Sequence, residues 1–212
     1  MASTAHAGTA LPNDVDGDGY AALLVGAPEG VGGNGVRGGY VAVVPGGSGG
    51  VDTGAGSRVD QGSTGVPGTP EAGDRFGEVL RSADVDGDGY ADLIVAAPDE
   101  DVEEHTDAGL VQVVFGSAEG VSETAIGLHS PRQGRGDTGF GHALAVGDLD
   151  GDGYAACWAT PPWKPRTAAL TRAEWACSTA ARTGWMGTSS PSPRTPRTWR
   201  GQPRPGMRWA RR

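Results

Sequence analysis

One seven-residue phrase occurs three times and constrains most of what this chain can fold into. It reads Asp14-Val-Asp-Gly-Asp-Gly-Tyr20, then Asp84-Val-Asp-Gly-Asp-Gly-Tyr90, then Asp148-Leu-Asp-Gly-Asp-Gly-Tyr154, at spacings of 70 and 64 residues. The flanks recur with it. Leu23-Leu-Val-Gly-Ala-Pro28 follows the first copy and Leu93-Ile-Val-Ala-Ala-Pro98 the second. Further on, Gly39-Tyr-Val-Ala-Val-Val44 parallels Gly109-Leu-Val-Gln-Val-Val114. Gly73-Asp-Arg-Phe-Gly77 and Gly136-Asp-Thr-Gly-Phe-Gly141 precede the second and third copies. Self-similarity at a fixed period is the mark of a repeat architecture.

The apolar runs between the acidic loops are short, rich in Val, Leu and Ile, and bounded by Gly, Pro and Asp. Such runs read as strands. No window before residue 154 sustains a 3.6-residue period, so no helix is expected there. The 38 Gly and 15 Pro fit a chain built of tight turns. The expected fold is therefore all-β, one blade of several strands per repeat, as in a propeller.

Asp at positions 1, 3 and 5 of a sharply turning loop aims three carboxylates at one centre. Calcium takes six to eight oxygens, and such a loop supplies most of them. Gly at positions 4 and 6 lets the chain curl with positive φ. The candidate ligands are Asp14, Asp16, Asp18 and Tyr20 in loop one, and Asp84, Asp86, Asp88, Tyr90 and Asp92 in loop two. Loop three offers Asp148, Asp150, Asp152 and Tyr154. Each Tyr would lend its backbone carbonyl. An EF-hand loop begins the same way but closes with Glu at position 12. Here that position holds Val25, Val95 and Ala159, and strands rather than helices flank the loops. A solvated Asp-Gly turn is the plain alternative. Three like charges within a few ångströms repel, however, which makes a poor turn without a cation.

A Phe-Gly strand, an Asp-x-Asp-x-Asp-Gly loop and a Gly-Ala-Pro strand end resemble the FG-GAP repeat of integrin α chains and many bacterial extracellular proteins. The resemblance covers residues 11–154 and implies a seven-bladed propeller. This stretch holds one blade without its opening Phe-Gly, one complete blade and the start of a third. In the family, position 9 of the loop is an Asp that closes the ion's shell. Asp92 fits that pattern, whereas Ala22 and Ala156 depart from it and put the affinity of loops one and three in doubt. The resemblance implies a non-catalytic, extracellular module for binding or adhesion, with calcium as cofactor and a protein or glycan as ligand. The rival is an accessory propeller of a secreted hydrolase, like the phospholipase D that acts on glycosylphosphatidylinositol anchors.

Charge divides the chain. Residues 1–154 carry 25 Asp and Glu against 6 Arg, a net of −19, while residues 155–212 carry 11 Lys and Arg against Glu174, a net of +10. An acidic body suits hard cations and argues against nucleic acid. Residues 1–10 read as a disordered start with neither charged n-region nor apolar h-region, so no signal peptide is expected there. No stretch is long and apolar enough for a membrane helix. Cys157 and Cys177 both lie beyond residue 154, so the repeats have no disulfide framework.

After Tyr154 the repeat breaks off, and 155–212 reads as a disordered, non-native basic tail produced by a shifted reading frame. In the frame formed by the last base of each codon and the first two of the next, Trp175-Ala176 must give Gly and Trp185-Met186 must give Asp. From Leu170 to Ala181 that frame permits Asp-Ala-Gly-Arg-Val-Gly-Val-Phe-Tyr-Gly-Ser, which matches Asp107–Ser117 at seven of eleven positions. The tripeptide Arg135-Gly136-Asp137 overlaps the Gly-Asp ahead of Phe-Gly and reads as structural. Phe76 and Phe140 read as core. The acidic run at residues 99–104 reads as a solvated turn. His6, His105, His129 and His142 are scattered without metal-ligand spacing. No catalytic motif appears, so no enzyme is expected.

Overall fold

The computed structural model describes residues 10–130, 139–148 and 154–160. Arg135-Gly136-Asp137, Asp150, Asp152, His6 and residues 161–212 lie outside them. The described residues are all-β, in three antiparallel sheets. The first holds β1 (Leu23–Ala27), β2 (Tyr40–Val44) and β3 (Ser57–Val59) in that order. The second holds β4 (Val79–Ala83), β5 (Asp92–Ala97), β6 (Leu110–Ser117) and β7 (Gly120–His129). The third pairs β8 (Ala143–Gly147) with β9 (Ala156–Thr160). Together they form a partial propeller: three strands of one blade, a complete four-stranded blade, and a hairpin of the next.

The second sheet lies between its neighbours, and β5 shows why its sequence is apolar throughout. All six of its residues are buried. Leu93, Val95 and Ala97 face Val41, Val43, Val59 and Phe76 on the first-blade side. Ile94 and Ala96 face Phe140, Leu144, Cys157 and Ala159 on the other. Successive side chains of a strand point to opposite faces, so a strand with a blade on each side needs apolar residues at every position. On β1, by contrast, Leu23 and Val25 are 48% and 44% exposed.

Among the described residues the first blade has no counterpart of β4, and proline chemistry accounts for this at Pro12. In the second blade Ala83 pairs with Asp92 and the ladder runs on to Val79↔Ala96. In the first, Asn13 makes the equivalent start, its carbonyl accepting the Ala22 N–H at 2.8 Å. The next residue outward is Pro12, which has no N–H to continue a ladder. The chain turns instead, with the Asp14 N–H on the Leu11 carbonyl at 3.0 Å.

Phe-Gly joins blade to blade. The Phe76 N–H donates to the Gly38 carbonyl at 2.8 Å, and the Phe140 N–H to the Ala108 carbonyl at 3.0 Å. Gly39 and Gly109 sit at φ +94° and +83° against the carbonyls of Phe76 and Phe140, where a Cβ has no room. Both Phe rings are buried, as expected of core residues.

Beyond Tyr154, Ala156–Thr160 forms β9, paired from Gly147↔Ala156 to Ala143↔Thr160. Strand pairing is a backbone matter, and buried Ala156, Cys157 and Ala159 are small enough to pack on β8. One expectation needs correction: the acidic run after β5 is not simply solvated. Glu100 is 3% exposed and belongs to the seam between the first two blades.

At that seam Glu100 faces Asp74, also buried. One Glu100 oxygen accepts from Gln61 Nε2 and the other from the Thr69 N–H, while the Glu71 N–H donates to Asp74. Burial, with repulsion from Glu71 and Asp101, pushes Asp74 up to about 6, and burial, with repulsion from Asp74, pushes Glu100 up to about 7. The nearby Arg75 guanidinium is engaged by Glu78 and Asp99. Raised carboxyl values mean that the folded state holds more protons than the unfolded one from about pH 4 to pH 7. Stability must therefore fall as pH rises through that window. Thermal unfolding at pH 5 and pH 8 should show a lower Tm at the higher pH, and Glu100→Gln should flatten the difference. An unchanged slope in that variant would remove the pair as its source.

Candidate metal centre

The acidic loops are hairpin tips, and both described ones share most of their internal hydrogen bonds. In loop two, Asp84 stands just past β4 and Asp92 opens β5. Asp84 Oδ1 accepts the Gly87 N–H at 2.7 Å and Oδ2 the Gly89 N–H at 3.1 Å. Asp86 accepts the Asp88 N–H at 3.2 Å, and Asp88 the Tyr90 N–H at 3.0 Å. Loop one repeats three of these four bonds, without a counterpart of the Gly87 bond. Asp14 accepts from Gly19 at 3.1 Å, Asp16 from Asp18 at 3.4 Å and Asp18 from Tyr20 at 2.8 Å. Each Asp bonds the backbone ahead of it, as Asp does in turns. The glycines at positions 4 and 6 take positive φ: 70° and 89° in loop one, 78° and 93° in loop two.

This winding brings carboxylates together. Asp14, Asp16 and Asp18 each offer an oxygen within 4.8 Å of the others, and so do Asp84, Asp86 and Asp88. The first acid of each set is buried, the second half-buried and the third exposed. Burial, then repulsion from the neighbouring acids, holds Asp16 and Asp86 above the usual carboxylate range. Asp14 Oδ1 is buried and meets no hydrogen-bond partner. A buried carboxylate oxygen without a donor is costly, and a cation supplies what it lacks. The donor set is all oxygen, which suits a hard divalent ion such as calcium.

Asp92 is placed differently from its three neighbours. It is fully buried, with Oδ2 accepting the Val85 N–H at 2.7 Å and Oδ1 the Gly116 N–H at 3.0 Å. It thus ties the loop root to β6 and stands apart from the three-carboxylate cluster. Burial pushes it up to about 7 against the pull of those two N–H groups, with repulsion from Asp86 and Asp88 adding. Ala22 and Ala156 fill the same position in loops one and three and are buried. Of loop three, Asp148 and Tyr154 are described. The Tyr154 ring lies against Gly87 of loop two, and the Tyr90 ring against Gly17 of loop one.

Removing the Asp92 carboxylate strands two N–H groups in a dry site. Each such loss costs about 1–3 kcal/mol. Asp92→Ala should therefore lower stability in calcium-free buffer by at least that much, read from urea unfolding. A variant within about 0.5 kcal/mol of the parent would contradict the bracing role.

Residues 76–114, from the Phe-Gly strand through loop two to β6, match the family model of the FG-GAP repeat. No curated protein matches the chain. Among the described residues no helix is long and apolar enough to cross a membrane. The matched segment holds the Phe-Gly, the acidic loop and the strand end of one repeat, so the chain carries an FG-GAP repeat at residues 76–114.

Proposed function

We propose that this chain is a calcium-stabilised, non-catalytic propeller module that binds a protein or glycan ligand outside the cell. The observation that carries the calcium reading is the duplicated three-carboxylate cluster with the orphaned Asp14 oxygen beneath one copy. Asp14, Asp16, Asp18 and the Tyr20 carbonyl would hold one ion. Asp84, Asp86, Asp88 and the Tyr90 carbonyl would hold a second, and Asp148, Asp150, Asp152 and the Tyr154 carbonyl a third. Asp92 serves loop two in two ways. Each of its oxygens keeps a lone pair beyond the amide it accepts, so bracing and ligation are compatible. Bound calcium supplies charge, which cancels the mutual repulsion of the acids and lets the hairpin tip close.

The extracellular setting suits this chemistry, since loops of this kind in extracellular modules work at about 10⁻⁴–10⁻³ M calcium. The role in binding or adhesion rests on the family, whose repeats are generally non-catalytic. A propeller offers loops at the ends of its blades, and such loops carry ligand contacts without a shared motif.

An ion that binds the folded loop and not the unfolded chain stabilises by about 2.7 kcal/mol per site at a hundred times its dissociation constant. Thermal unfolding in calcium and in chelator should therefore differ by several degrees. Asp86→Asn should remove part of the shift and Ala22→Asp should enlarge it by tightening loop one. Identical transitions with and without calcium would end the metal assignment.

A further inference from the structure

The position-7 tyrosines stand in a relation to the loops that their role as carbonyl donors does not explain. Tyr90 belongs to loop two, yet its ring covers loop one. A Cβ placed on Gly17 would lie 2.8 Å from Tyr90 Cε1 and 3.1 Å from Cδ1. Tyr154, which belongs to loop three, covers Gly87 of loop two in the same manner. Backbone bonds accompany both contacts. The Ala91 N–H donates to the Asp14 carbonyl at 2.8 Å, and the Ala155 N–H to the Asp84 carbonyl at 2.9 Å. The Ser117 N–H adds a bond to the Val15 carbonyl at 3.2 Å. Each loop is thus held from the side by the blade that follows it. Tyr20, at position 7 of loop one, is 44% exposed, and no described loop glycine lies under its ring.

We propose that the tyrosine at position 7 of each acidic loop is a positioning residue for the cation centre of the preceding blade, so that Tyr90 sets the affinity of loop one and Tyr154 that of loop two. The inference rests on the calcium reading above. Its physical basis is preorganisation. Three carboxylates close together push a free loop open, and a loop that must be closed on binding loses affinity. A flat ring pressed on the position-4 glycine opposes that opening. It also explains the glycine beyond its positive φ, since any side chain there would displace the ring. Coupling then runs in one direction along the repeat: a blade's ion site is complete only when the next blade has packed.

The test reads each site separately in the full chain. The Gly19 and Gly89 amides, which donate to the first acid of loops one and two, report their own loops by NMR during a calcium titration. Tyr90→Ala should weaken calcium binding reported by Gly19 about tenfold while the Gly89 site stays within about twofold, because the Tyr90 backbone carbonyl remains. Tyr90→Phe should restore loop one. Tyr90→Leu serves if the alanine variant loses its β5 and β6 resonances. In chelator, Tyr90→Ala should speed hydrogen exchange at Gly19 more than at Gly89. An unmoved Gly19 site in Tyr90→Ala, or a larger loss at Gly89, overturns the proposal alone. If neither amide of the unaltered protein responds to calcium, the calcium reading falls and the proposal with it.

Discussion

The first aspartate of each acidic loop is the point on which hairpin, blade seam and acidic centre all depend. Asp84 shows this most fully. Its carboxylate takes the Gly87 and Gly89 N–H groups, which sets the curl of the loop. It also takes the Ala10 N–H at 3.3 Å, a tie to the first blade. Its own carbonyl takes the Ala155 N–H and so holds the third blade. Four bonds at one residue link three repeats. Yet the same carboxylate sits within 4.8 Å of two more, so the group that organises the fold also strains it electrostatically.

The protein meets crowded, buried carboxyls in two different ways. At the seam, Asp74 and Glu100 lie away from bulk water, with backbone and Gln61 donors around them, and a proton relieves their repulsion. At the loop tips the acids stand half in solvent, with oxygens converging from three directions, and a cation is the natural counter-charge. Asp92 lies between the two cases: fully buried like the seam pair, but next to the loop acids. A chain with so many acids can remain compact only where each buried carboxyl is matched by an N–H group, a proton or an ion.

The repeat was legible because its strands are locally written. β1, β2, β5 and β6 coincide with runs of Val, Leu and Ile bounded by Gly, Pro and Asp, and the loops carry their own turn chemistry. The outer strands carry no such signal. β3 is three residues long with two of them exposed, and β7 mixes Ser, Glu, Thr and Gly with no buried face. Such strands exist because a neighbour offers a ladder, not because their own sequence demands one. β9 is of the same kind, paired to β8 along its length. Within the site, the curl at Gly17 and Gly87 followed from the Asp and Gly pattern. The bracing by Asp92 and the burial of Glu100 did not, since both depend on partners from other elements: Gly116 on β6 in one case, Gln61 of the preceding blade in the other. A signal for the tyrosine contact was present all along in the pairing of Gly at position 4 with Tyr at position 7, but it joins residues one repeat apart.

The central claim is that calcium closes these loops and, through them, fastens blade to blade. Hydrogen exchange measured on the full chain with and without calcium tests it most directly. The account predicts that calcium slows exchange at Gly19 and Gly89 inside the loops and, in step with them, at Ala91 and Phe76, whose N–H groups cross the seam. Loop amides that slow while the seam amides do not would contradict the coupling, and no change at either would contradict the claim as a whole.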